Sequence, residues 1–110
     1  VDVSPCGTAL NLTDGIIRAR WRNSRTLPTM LEPGRVEEFK IDMWSTSNVF
    51  KQGHRIRLEI SSSNFPRFDR NPNTGHDLFT DAEMRPAMQT IMHDRNFASH
   101  LTLPLIPANR

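Results

Sequence analysis

The side chains able to do chemistry in this chain are four histidines, eight serines, one cysteine and twelve acidic residues. Hydrolysis by a serine needs a nucleophile on a sharp turn, a base within hydrogen-bond reach and an acid that orients the base. A widespread arrangement places that serine in Gly-x-Ser-x-Gly, and none of the eight serines sits in that context. Ser61, Ser62 and Ser63 precede a proline-containing loop, where their hydroxyls are expected to bond its backbone. His54 falls in the apolar phase of a strand pattern, which predicts a buried, hydrogen-bonded structural role. His93 and Asp94 are adjacent in an expected strand, so they point to opposite faces and form no base and orienter pair. His76 and His100 lie near strand ends or loops and have no partner that spacing can name. Cys6, being alone, forms no internal disulfide, and no His/Cys spacing suggests zinc, so no metal and no cofactor is expected. A single cysteine leans toward the cytoplasm and otherwise leaves the compartment open.

The most chemically varied stretch is Asn64 to Gly75, Asn-Phe-Pro-Arg-Phe-Asp-Arg-Asn-Pro-Asn-Thr-Gly. Asp69 to Gly75 places oxygen ligands at alternate positions, as a calcium loop does. Gly75 nevertheless falls one place late for the EF-hand turn, and Thr80 stands where the bidentate glutamate belongs. The expectation is that Asp69, Asn71 and Asn73 bond the loop's own backbone while Phe65 and Phe68 anchor it. Arg67 and Arg70 beside two phenylalanines also suit a single-stranded nucleic acid, but Asp69 and a net charge of only +2 argue against that partner. A carbohydrate-binding module is the stronger alternative. It needs exposed rings, for which Trp21 and Trp44 are the candidates, and Trp21 falls in an apolar phase.

These residues must be positioned by strands. Upstream of the loop, His54, Ile56, Leu58 and Ile60 alternate with Arg55, Arg57 and Glu59, the period-two pattern of a half-buried strand, and Gly53 supplies the turn before it. Phe50 reads as a core plug beneath the preceding corner. Pro66 and Pro72 prevent the strand from continuing. Val1 to Val3 reads as a strand end, Thr8 to Thr13 as its hairpin partner, and Asp14-Gly15 as a two-residue turn. Ile17, Ala19 and Trp21 alternate with Arg18, Arg20 and Arg22, predicting a strand whose arginine face is either solvated or a docking surface. Asn23 to Arg35 is a loop, and Phe39, Ile41 and Met43 mark another strand. Asp77 to Ala87 is the one place for a short helix, with Thr80 as N-cap and Pro86 limiting its length. Met88 to Asp94 and His100 to Ile106 complete the strands. The pattern is that of an all-β antiparallel sandwich.

The run Gly53 to Gly75, Gly-His-Arg-Ile-Arg-Leu-Glu-Ile-Ser-Ser-Ser-Asn-Phe-Pro-Arg-Phe-Asp-Arg-Asn-Pro-Asn-Thr-Gly, resembles the C-terminal domain of the X-Pro dipeptidyl-peptidase and cocaine esterase group of serine hydrolases. That group includes the α-amino acid ester hydrolases and glutaryl acylases. Asp14 to Arg20, Gln89 to Asp94 and Ser99 to Pro104 fit the same pattern in order, so the likeness spans nearly all of the chain. The resemblance implies a galactose-binding-like jelly roll whose N-terminal strands precede the position of Val1. On this reading residues 1–110 are a partial C-terminal domain of a larger hydrolase. It also implies that the Ser-Asp-His triad belongs to a preceding α/β-hydrolase domain, so no catalytic position carries over to this chain. The expected function is non-catalytic: packing on that catalytic domain and helping to shape its substrate pocket. Asn64, Phe65, Arg67, Phe68, Asp69, Arg70, Asn71 and Asn73 are the expected interface and pocket-wall residues, with Gly53, His54 and Phe50 structural. Uncovered strand edges further suggest a strand-swapped homodimer as an alternative cover.

Bulk properties are compatible with this reading. A chain of 110 residues predicts one domain able to bury roughly 65% of its unfolded surface. The pI near 9.3 reflects a small Lys/Arg excess and not a polyelectrolyte. No apolar run approaches the roughly 20 residues that span a bilayer, so no membrane partner is expected.

Overall fold

The computed structural model describes residues 1–77 and 79–107. Its fold is all-β: three antiparallel strands and one 3-10 turn are the regular elements among the described residues, with no α-helix. The chain divides into two compact units, Val1–Ile60 and Ser61–Arg110.

The first unit is built on a sheet of order β2-β1-β3, with β1 at Asp2–Val3, β2 at Ala9–Leu10 and β3 at Arg55–Ile56. Asp2 lies opposite Leu10 on one side and Ile56 on the other. The β1/β2 hairpin closes through Ser4 N donating to Thr8 O at 2.9 Å, with Gly7 in the left-handed region at φ +91. Only glycine adopts that angle without Cβ strain. Val1 and Arg57 exchange a reciprocal pair of backbone bonds, at 3.0 and 2.9 Å, that carries the β1/β3 ladder one step further. Val3 is the buried apolar side chain of this sheet, beside buried Asp2.

Several strands expected from periodicity are shortened or replaced. The central strand pairs only from Arg55 to Arg57, where β1 and Val1 lie beside it, and its apolar phase stays uncovered, Ile56, Leu58 and Ile60 being 54%, 45% and 52% exposed. The strand expected through Arg22 stops at Arg18, which is extended, and Ala19–Trp21 forms a 3-10 turn. The cause is Arg22, whose guanidinium turns inward and donates to Ala19 O at 3.0 Å and Thr29 O at 2.7 Å. It also pairs with the Glu37 carboxylate at 3.1 Å, so this side chain is neither solvated nor presented for docking. An arginine fork carries five donors, and a curled backbone satisfies them better than a strand does.

Asp14-Gly15 is likewise not a hairpin turn. A Cβ on Gly15 would collide with Asp42 O, so glycine here permits two chain segments to pass in near contact. Thr13 Oγ1 donating to Met43 O and Thr46 Oγ1 donating to Leu12 O, the latter at 3.4 Å, fasten the same crossing.

In the second unit, the segment from Asp77 to Ala87 makes one turn, Asp81 N donating to Asp77 O at 3.1 Å, and then extends. Leu78, within the range expected to be helical, lies outside the described residues. Asp77 Oδ1 accepts from Phe79 N and Asp81 Oδ1 from Glu83 N, at 2.9 and 3.0 Å. Such side-chain acceptors compete with helical bonding. The two C-terminal strands reduce to an isolated antiparallel bridge, His93 with Ala98, around a turn in which Asp94 Oδ1 accepts from Asn96 N and Phe97 N. No helix among the described residues is long and apolar enough to cross a membrane.

Candidate functional site

The loop from Asn64 to Gly75 belongs to the second unit. It opens on a turn in which Phe68 N donates to Asn64 O at 3.1 Å, with a cis Phe65-Pro66 bond inside it. Two guanidiniums then lie over two rings: Arg67 over Phe68 at 5.3 Å and Arg70 over Phe65 at 4.6 Å from the ring centroids. At these distances the positive charge faces the negative ring surface. Phe68 is half-buried, whereas Phe65 is 58% exposed, so the second stack stands at the surface. Asp69 and Arg70 are exposed.

Downstream the loop is stapled. Asn71 Oδ1 accepts from Asn73 N at 3.1 Å, an Asx turn that favours the left-handed Asn73 at φ 61. Asn73 Nδ2 donates to Arg85 O at 2.9 Å and Arg85 N donates to Pro72 O at 2.9 Å, fixing residues 72 and 73 against residue 85. Thr74 Oγ1 donates to the Asp81 carboxylate, which His76 Nδ1 approaches at 3.4 Å. The Thr74 and Glu83 hydrogen bonds hold the Asp81 carboxyl below its usual value, against the opposing effect of burial.

The first unit carries a separate polar cluster. Asp2 Oδ1 lies 2.8 Å from His54 Nδ1, and Asn48 Nδ2 donates to Asp2 Oδ2 at 3.3 Å. With the carboxylate ionised, Nδ1–H is the donor. Burial pushes the Asp2 carboxyl up, but the His54 and Asn48 hydrogen bonds and the nearby positive charge outweigh it and leave it lowered. Gly53, just before, is left-handed at φ +83, and a Cβ there would meet the Pro5 ring at 3.2 Å. Phe50 is half-buried. Cys6 is exposed, with Ser4 Oγ at 3.0 Å and Thr8 Oγ1 at 3.4 Å. Those hydroxyls, Ser4 first, bring its thiol down to about 7.

The structure thus brings Phe65 together with Arg70 and Phe68 with Arg67, and ties Asn71 and Asn73 into a turn braced from residue 85. It places His54 and Gly53 in the other unit. Sequence reasoning missed Asp2 as the partner of His54. The available signal was an acidic residue between two valines of a strand and one histidine opening another. It also missed Arg22 with Glu37, for which no spacing rule exists, and Arg85 as the brace of the loop. Among the described residues no three His, Cys, Asp or Glu side chains converge as a metal site.

Comparison with known proteins places this geometry. Residues 1–102 match the family model for the X-Pro dipeptidyl-peptidase C-terminal non-catalytic domain. The chain is 47% identical over 108 residues to a cocaine esterase from Rhodococcus sp. (strain MB1 Bresler), covering 96% of this chain. It spans about a fifth, 19%, of the length of that curated relative. No solved structure gives a significant match. The chain belongs to the family of X-Pro dipeptidyl-peptidase C-terminal non-catalytic domains.

Proposed function

We propose that residues 1–110 form part of the C-terminal β-sandwich of a serine hydrolase that cleaves an ester or amide. In this reading it docks on the α/β-hydrolase catalytic domain, buttresses it and helps to wall the substrate pocket, with the Asn64 to Gly75 loop making the contact. The observation that carries the reading is uncovered apolar surface. The exposed side chains include Ile56, Leu58 and Ile60 in the central strand phase and Phe65 in the loop. Exposed apolar side chains that share one strand phase mark a face that another surface covers. Further strands of a jelly roll would pair the open edges, and a second copy of the chain would compete for the same edges if the catalytic domain were absent.

The test is replacement of residues 64–75 by a Gly/Ser linker in the full-length hydrolase that carries this domain. Loss of thermal stability with a changed kcat or KM is expected. Unchanged stability, kcat and KM would refute the docking role.

One observation favours a second reading, a carbohydrate-binding module. Trp44 is 83% exposed, with its backbone N donating to Asp42 Oδ1 at 2.8 Å and φ at 59. A flat indole so presented suits stacking on a sugar ring. Saturable quenching of its fluorescence by glycans, abolished in Trp44→Ala, would support that reading; a docking domain gives no quenching.

A further inference from the structure

Beside the loop lies an open cup of about 280 Å³. Ser62, Ser63, Arg70, Asn71, Asn73 and Arg85 supply its polar lining. Two walls are fixed to each other, because Asn73 Nδ2 bonds Arg85 O and Arg85 N bonds Pro72 O, and Pro72 itself is buried. The two guanidiniums differ. Arg85 is matched by Glu83, Nε to Oε1 at 2.7 Å. Arg70 has no carboxylate partner among the described residues and is held only over the Phe65 ring at 4.6 Å.

With Arg85 offset by Glu83, the lining carries one uncompensated positive charge among neutral donors. That is the complement of a monoanion that accepts several hydrogen bonds, and a guanidinium fork fits a carboxylate in two parallel bonds. Stacking on Phe65 restricts the fork, so less freedom is lost on pairing. Met84 and Pro86 complete the lining and provide an apolar rim of the kind that shields a desolvated ion pair.

We infer that this cup receives the carboxylate of an Asp or Glu side chain presented by the catalytic domain. The inference rests on the docking role proposed above and names the partner chemistry at that loop. Arg70 supplies the charge, Ser62 and Ser63 the neutral donors, and Phe65 the platform.

The experiment uses the full-length hydrolase and reads amide hydrogen exchange over residues 61–75, with Arg70→Gln, Arg70→Lys, Ser62→Ala and the linker-replaced loop compared. Arg70→Gln should speed exchange about tenfold, a change typical of breaking a shielded charge pair. Arg70→Lys should lose less than Arg70→Gln, Ser62→Ala should lose least, and high salt should shrink the wild-type advantage. If the linker-replaced enzyme loses stability while Arg70→Gln and Ser62→Ala exchange like wild type, the carboxylate cup is wrong and docking stands. If the linker-replaced enzyme is also unaltered, docking itself fails and takes the cup with it. Protection that appears only when acetate is added, and vanishes in Arg70→Gln, would assign the cup to a free carboxylate and overturn the interdomain partner.

Discussion

The two units of the chain hold their shape by different means. In Val1–Ile60 the decisive contacts join residues far apart in sequence: Asp2 with His54 and Asn48, Thr13 with Met43, Arg22 with Glu37. In Ser61–Arg110 most side-chain bonds reach two or three residues, as at Asn71 to Asn73, Asp77 to Phe79, Asp81 to Glu83 and Asp94 to Phe97. Distant contacts must repay the entropy of closing long loops, so each is costly to lose. Local turns close small loops and fail one at a time. The first unit is therefore expected to respond to single substitutions cooperatively, and the second gradually.

The sharpest way to break this contrast is at Arg22, whose side chain is only 3% exposed. Arg22→Ala leaves Glu37 only the exposed Arg35, at 3.3 Å, and frees two or three carbonyls, and should cost about 3 kcal/mol in urea unfolding, the low end for removal of one partner of a buried pair. Arg22→Met, which fills the same space without charge, should cost less. Gly15→Ala comes next: its Cβ has no room against Asp42 O, and overpacking of this kind costs about 1–3 kcal/mol. An unaltered urea midpoint for either variant would remove the distinction between the units.

The Asp2 and His54 pair gives the contrast a pH dependence. The Asp2 carboxyl is lowered in the folded chain. Its contribution is therefore present above the unfolded carboxylate value and is lost as pH falls through the lowered one. Urea midpoints should drop on acidification below about pH 4, and Asp2→Asn should flatten that portion of the curve. At the small end, Asn71→Ala removes one Asx turn of the second unit and should cost about 0.5–1.5 kcal/mol, the net worth of one hydrogen bond. A loss as large as that of Arg22→Ala would show that the second unit is cooperative after all. Cys6 probes the β1/β2 hairpin by rate alone: with a thiol at about 7, alkylation should reach half its maximal rate near that pH, and Ser4→Ala should move the midpoint upward.

The same division explains what could be read from the chain. The left-handed Gly7 and the hairpin around it follow from Pro5 and Gly7, and the Asx turn at Asn71 follows from asparagine chemistry, so both were legible. The all-β class was legible from alternation in the Arg55 to Ile60 stretch. Strand lengths were not, since alternation states which face a residue takes and says nothing of whether a neighbour is there to pair with it. Arg22 was misread because Arg18, Arg20 and Arg22 share a phase, and periodicity assigns all three one environment. Arg22 is met by the carboxylate of Glu37, fifteen positions on, and by the Ala19 and Thr29 carbonyls, which periodicity does not register. Asp77, not Thr80, accepts at the start of the 77–81 turn because its carboxylate reaches Phe79 N. At the loop, the residue types pointed to stacking and turns, while the brace from Arg85 depended on a chain reversal that no local signal announces.

The uncovered Arg55 to Ile60 stretch also bears on synthesis. Six residues of alternating Arg, Ile, Arg, Leu, Glu and Ile with an open hydrogen-bonding edge can template intermolecular β-pairing. Arg55, Arg57 and Glu59 interrupt every apolar pair, and Arg57 and Glu59 are already joined at 2.7 Å. Charges so placed act as gatekeepers against aggregation. Replacing both arginines by threonine would leave Ile56, Leu58 and Ile60 untouched, yet should shift newly made protein from the soluble fraction into inclusion bodies.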